Sequence, residues 1–146
     1  MDWVGYGFEL AERILRDSMY GGDGHKCAEN LRVVMLHSAL EKGDELKDII
    51  FKNLAKDPIE SPLKVVIATV ALGIGVDLRY VAQVIHACPP QNLEAYIQHI
   101  GRGGQNSEMQ CEAILYFNSS DLGCLNISKE IKEYCRNDTL CRRVFF

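Results

Sequence analysis

Two short stretches carry residue types that could handle phosphate. The first, Ala68-Thr69-Val70-Ala71-Leu72-Gly73-Ile74-Gly75-Val76-Asp77, closes an apolar run and enters a glycine-containing loop. Such a loop lies at the carboxyl end of a strand, the edge where parallel α/β sheets hold ligands. Gly73 and Gly75 let backbone approach a phosphate closely, Thr69 offers a hydroxyl donor, and Asp77 can accept from a ribose hydroxyl. A Gly-x-Gly by itself is as much the mark of a tight turn. A dinucleotide fingerprint needs a third glycine at position 78, where Leu78 stands, so that cofactor reading fails.

The second stretch is Gln98-His99-Ile100-Gly101-Arg102-Gly103-Gly104-Gln105, a helix end carrying Gln98 that runs into a glycine turn with Arg102. A guanidinium on such a turn can approach a γ-phosphate and offset transition-state charge, the role of an arginine finger. A lone arginine is more often a solvated surface residue. Its pairing with the first stretch favours the phosphate reading.

The elements that must position these residues follow from periodicity. Phe8, Ala11, Ile14 and Leu15 share one face of a helix through Glu9 to Asp17, ahead of the turn-rich Gly21-Gly22-Asp23-Gly24. A strand is expected at Leu31 to Leu36, and a helix between Glu41 and Lys56 on the spacing of Leu46, Ile49, Ile50 and Leu54. Lys64 to Thr69 is the best candidate for a buried strand. Val81 to His86 is the next, leading through Pro89-Pro90 to a helix at Leu93 to Ile100 that Asn92 can cap. Ala113 to Phe117 completes the strands, and Ile127, Ile131 and Tyr134 or Cys135 describe a last helix. The alternation predicts an α/β domain with a mainly parallel sheet, and 146 residues suit one core.

Composition narrows the functional classes. Apolar residues at 47% and charged residues at 25% are the balance of a globular protein, not a disordered one. The apolar run Val65 to Ala71 is far shorter than the eighteen or so residues of a membrane span, and Met1 to Gly7 has no signal-peptide pattern; neither membrane association nor secretion is expected. A net charge of −4 means that any nucleic-acid contact must be local. Six cysteines without a C-x-x-C pair fit reduced thiols in the cytosol or nucleus better than a disulfide framework.

Taken in order, Ala68 to Asp77, Val84-Ile85-His86, Pro89-Pro90 with Glu94-Ala95-Tyr96-Ile97-Gln98, and Gly101-Arg102 resemble motifs V and VI of RecQ-like ATP-dependent DNA helicases. Met35 to Leu40 is similar to the family's Tyr-His-Ala-Gly-Leu stretch, and the resemblance runs from about Val33 to Phe146. It implies the C-terminal, second RecA-like lobe of a P-loop NTPase-type motor, lacking its first strand. It implies movement along single-stranded or partly duplex DNA from 3′ to 5′, a part in DNA repair and recombination, and a nuclear location in a eukaryote or a cytoplasmic one otherwise. ATP and Mg2+ would be used only together with a first RecA-like lobe. Within that resemblance His37, Ser38 and Thr69 face DNA, while Gly75, Asp77, Gln98 and Arg102 face the nucleotide cleft, with Arg102 and Gln98 the catalytic pair. Residues 1–30 would be an eroded or truncated start, 31–125 the lobe, and 126–146 the beginning of a truncated zinc-binding region.

The departures matter as much. No Gly-x-x-x-x-Gly-Lys-Ser/Thr loop and no Asp-Glu-x-His element occurs, so the chain alone should not hydrolyse ATP. Gln105 stands where the family has the second arginine of motif VI. Losing an arginine finger costs about a thousandfold or more in turnover. Met1 to Gly7 shows no strand with the family's Tyr-Cys element, which suggests an artificial or eroded boundary at Met1. Cys141 ahead of Arg142-Arg143 resembles the first ligand of the zinc region, but no cysteine cluster follows and no bound zinc is expected. A degenerate copy acting only as a nucleic-acid or protein-binding module is the competing reading. A small-molecule α/β enzyme would need a catalytic constellation, and His25, His37, His86 and His99 form none by spacing.

Overall fold

In the computed structural model, which describes residues 3–22, 25–36, 45–69, 78–106 and 109–146, the chain divides into two compact units, Met1–Tyr80 and Val81–Phe146. Each has its own apolar core, where chain length alone predicts one. Each is also built on one strand–helix–strand crossover that brings two short strands together in parallel.

The first unit opens with helix α1 (Trp3–Leu15), continued by a 3-10 turn over Arg16–Met19. The helix begins six residues before the expected Glu9. Gly5 and Gly7 weaken its first turns on propensity alone, but α1 packs on the strands, and Gly7 lies close against Ile67. Packing therefore overrides a weak local preference. Strand β1 (Val33–Leu36) pairs in parallel with β2 (Val65–Ala68) in the register Val33↔Val65 to Leu36↔Ala68. Between them runs α2 (Glu45–Leu54), whose Ile50, Phe51 and Leu54 pack with Val34, Leu36 and Val66.

The strand expected at Lys64 to Thr69 is present as β2, but it is less buried than expected. Val65 is 48% exposed and the rest of β2 is half-buried, whereas Val33, Val34 and Leu36 of β1 are buried. The apolar run reads like a strand covered on both faces, yet among the described residues β1 is its one ladder partner.

In the second unit β3 (Gln83–His86) pairs in parallel with β4 (Glu112–Leu115), and α3 (Leu93–Ile100) crosses between them. Helix α3 starts and stops where the sequence says it should. The Asn92 side chain accepts from the Ala95 amide at 2.8 Å, and Gly101 follows the last turn. A short helix α4 (Ser119–Leu122), not anticipated, is held by a reciprocal cap between Asn118 and Asp121. Helix α5 (Lys129–Arg136) turns Ile131, Tyr134 and Cys135, spaced i, i+3, i+4, into the core formed with Tyr96, Leu122 and Ile127. The Ser128 amide donates to the Gln91 carbonyl at 2.7 Å, tying the start of α5 to the approach of α3. Phe145 from a closing 3-10 turn, Arg142–Phe145, packs on the same core, to which Ile127, Ile131, Tyr134 and Cys135 also contribute.

A Cβ at Gly7 would meet Ile67 at 3.5 Å, an ordinary contact. Gly7→Ala is expected to stabilise the first unit by about 0.5–1 kcal/mol through helix propensity and reduced freedom of the unfolded chain. A urea titration of both chains measures this, and a lower midpoint for the alanine variant would contradict it.

Candidate functional site

Thr69 follows β2 directly. Its amide donates to the Leu36 carbonyl at 3.2 Å, which continues the parallel ladder one step and sets Thr69 at the carboxyl edge of the β1/β2 pair. Its side chain is exposed there. His37, Ser38, Gly75 and Asp77 lie outside the described residues. Of the predicted first-unit site, then, Thr69 alone can be placed, and it lies at the edge that the sequence reading assigns to it.

In the second unit Gln98 and Arg102 come from one continuous piece of chain. Gln98 is exposed in the last turn of α3. The helix then tightens into a glycine turn. The amides of Gly101, Arg102 and Gly103 donate to the carbonyls of Ile97, His99 and Ile100 at 2.9, 3.2 and 3.0 Å. The Gly104 amide reaches across to the Val81 carbonyl at 3.3 Å, with Gly104 at φ 67°, where side chains are disfavoured. Arg102 is half-buried and Gln105 exposed.

Spacing could not reveal what backs this turn. The Cys111 sulfur and Val84 occupy the space in which a side chain at position 103 would sit, so backbone packs directly on sulfur. Burial, with the Glu112 carboxylate adding to it, pushes the Cys111 thiol above its ordinary range and keeps it protonated at neutral pH. Cys111 thus acts as a small apolar buttress behind the arginine turn.

Beneath α3 three rings gather. His86, at the end of β3, lies 5.2 Å from His99 and 5.1 Å from Tyr96, both edge-on. His86 Nδ1 is buried and makes no hydrogen bond among the described residues. Burial first, and the neighbouring His99 second, hold its imidazole below the usual histidine range. Tyr96 sits 5.3 Å from Tyr134, and burial raises its phenol well above ordinary tyrosine. Two of these rings, Tyr96 and His99, belong to α3 and pack that helix against His86 at the end of β3. Among the described residues no three His, Cys, Asp or Glu side chains gather closely enough to hold a metal ion, and Cys141 is exposed. No described helix is long and apolar enough to cross a membrane.

The fold is an α/β lobe of the RecA-like ATPase class. Solved structures share it: the Mycobacterium smegmatis helicase Lhr bound to ssDNA and AMP-PNP (TM-score 0.54, 21% identity, 79% of this chain and 13% of that one) and the C-terminal part of the Fun30 ATPase domain (TM-score 0.53, 16% identity, 97% and 42%). Residues 12–107 match the helicase conserved C-terminal domain, and the chain belongs to that family. Similar curated proteins are DNA helicases of the RecQ type. "ATP-dependent DNA helicase Q-like SIM" of Arabidopsis thaliana is 33% identical over 107 residues, 73% of this chain and 12% of that protein. "ATP-dependent DNA helicase Q1" of Mus musculus is 36% identical over 93 residues, 56% and 14%. The chain therefore spans about an eighth of the length of these relatives.

Two outcomes follow. Gly103→Ala forces a methyl group onto the Cys111 sulfur and should cost about 1–3 kcal/mol; adding Cys111→Gly should recover most of it, and purely additive costs in a double-mutant cycle would contradict the contact. The second concerns acid. Between the unfolded histidine value of about 6.5 and the lowered value of folded His86, the unfolded chain binds a proton that the folded chain does not, so stability is full above that window and falls as pH drops through it. Denaturation midpoints measured from pH 7.5 downward should decline below about 6.5, and His86→Phe should flatten the decline.

Proposed function

We propose that this chain serves as the second motor lobe of a RecQ-like DNA helicase that moves 3′ to 5′ along single-stranded or partly duplex DNA. The observation that carries this reading is the turn after α3, where one run of backbone hydrogen bonds sets Arg102 a single turn beyond Gln98. Gln98 and Arg102, with Gly75 and Asp77, meet the nucleotide; Thr69, with His37 and Ser38, meets DNA. The fold shared with the helicase Lhr, whose structure holds ssDNA and AMP-PNP, is consistent with both assignments.

ATP with Mg2+ supplies phosphoryl-transfer free energy to such a motor. Gln98 and Arg102 are residue types that fit a nucleotide's phosphates, but this sequence has no Gly-x-x-x-x-Gly-Lys-Ser/Thr loop and no Asp-Glu-x-His element for the metal. The nucleotide must then be held by a first RecA-like lobe, with Arg102 approaching from this one. Closure of two lobes on one nucleotide, each gripping the strand separately, turns a phosphate event into a step along DNA. In a eukaryote the place of work is the nucleus.

Gln105 favours one second reading, a nucleic-acid or protein-binding module without turnover, because a neutral amide supplies no charge where the family has a second arginine. A single experiment separates the two. The chain alone should show no DNA-dependent ATPase. Combined or fused with a RecQ-type first lobe it should gain activity that Arg102→Ala lowers by about a thousandfold and Gln105→Arg raises. No activity in the combined form, with or without Gln105→Arg, would leave the binding module as the reading.

A further inference from the structure

The β1/β2 pair has a second end. Arg32 and Lys64 immediately precede the two strands and so lie at the amino edge, opposite Thr69. The amides of Lys64 and Val65 both donate to the Arg32 carbonyl, at 2.8 and 2.9 Å, which brings the two cations' backbones together. Lys52 and Lys56 approach from α2 and the residues just beyond it. With Arg32 and Lys64 they line a cavity of about 620 Å3, within the range of ligand-binding sites.

Four cations here face two carboxylates, Glu29 and Glu60, in a chain whose net charge is −4. No described carboxylate lies within ion-pair distance of any of the four. Two are held in place by other means. The Lys64 ammonium donates to the carbonyls of Pro58 and Ser61 at 2.6 and 2.9 Å, and that of Lys56 to the Asn53 side-chain oxygen at 3.1 Å. An ammonium has three donors, so each keeps at least one for a ligand. Grouped like charges repel one another, a cost that a bound polyanion removes.

The apolar lining is Ile49, Ile59 and Pro62, with no aromatic ring on which a base could stack. We propose that this pocket binds the sugar-phosphate backbone of a nucleic-acid strand without reading its bases. It is a second grip, at the edge of the β1/β2 pair opposite Thr69, and it rests on the proposed helicase reading. It also answers the requirement that nucleic-acid contact in an acidic chain be local.

The test is fluorescence anisotropy of a labelled oligothymidine against the whole chain over a range of salt concentrations. Three variants are compared: Lys52→Gln with Lys56→Gln, the charge-preserving Lys52→Arg with Lys56→Arg, and Lys129→Gln with Lys132→Gln, which changes net charge equally in the other unit. The first should bind about tenfold more weakly, with a salt slope shallower by about 0.7 for each phosphate that is no longer neutralised. The arginine variant should bind like the parent, and the Lys129 and Lys132 variant should weaken little. Equal weakening in both glutamine variants, or in neither, overturns the pocket while leaving the helicase reading standing on its ATPase test. No binding by the parent chain removes both the pocket's role and DNA contact by the lobe. Thermal stabilisation by inorganic pyrophosphate that Lys52→Gln with Lys56→Gln abolishes, with no oligonucleotide bound, assigns the pocket to a small free phosphate and also overturns the proposal.

Discussion

Two strands that run the same way cannot be joined by a tight turn, and the rest of this chain is arranged around that constraint. The connection must travel the length of the strand and return, and a helix laid over the pair is the economical way to do so. Here it happens twice, with α2 between β1 and β2 and α3 between β3 and β4. Each crossover helix then supplies the apolar face that makes its pair of four-residue strands worth forming, Ile50 and Phe51 in one unit and Tyr96 in the other. The chemistry follows from the same rule. Thr69 lies just past the carboxyl end of β2, whereas α3, having crossed back, ends in the arginine turn beside the starts of β3 and β4.

How much of this is legible in the sequence depends on how local each cause is. Helix α3 is fully legible because its signals lie within it, Asn92 in front and Gly101 behind. The start of α1 is not, since the two glycines that argue against a helix are outvoted by packing on β2, which no window of sequence contains. The burial of β2 is hidden for a related reason, as an apolar run does not state how many neighbours it will have. At the site, Gln98 and Arg102 share a few residues of chain and are readable together. Cys111 is brought to Gly103 only by the register of β4 against β3, and the four cations at the amino edge come from separate elements that meet through β1/β2 pairing. Contacts of that kind become visible only once the strands are aligned.

The two units differ in how their interiors tolerate polarity. The first buries aliphatic side chains from α2 and the strands. The second stacks rings, with His86, Tyr96, Tyr134 and Phe145 in successive edge-on or tilted contact. Such rings orient one another as well as excluding water. The histidine among them has a buried nitrogen with no hydrogen-bond partner among the described residues, which makes this the interior more sensitive to protons.

The turn that carries Arg102 is clamped from three sides: by its own helix, by the Gly104 bond to Val81 ahead of β3, and by Cys111 at the foot of β4. In mechanical terms it is a rivet rather than a hinge. A displacement of the arginine's backbone relative to the β3/β4 pair would require breaking the Gly104 hydrogen bond just ahead of β3 and the packing on the Cys111 sulfur just ahead of β4, so turn and strand pair are expected to move together. Any load on the arginine turn is therefore passed directly into the β3/β4 pair, and slack has to be built elsewhere.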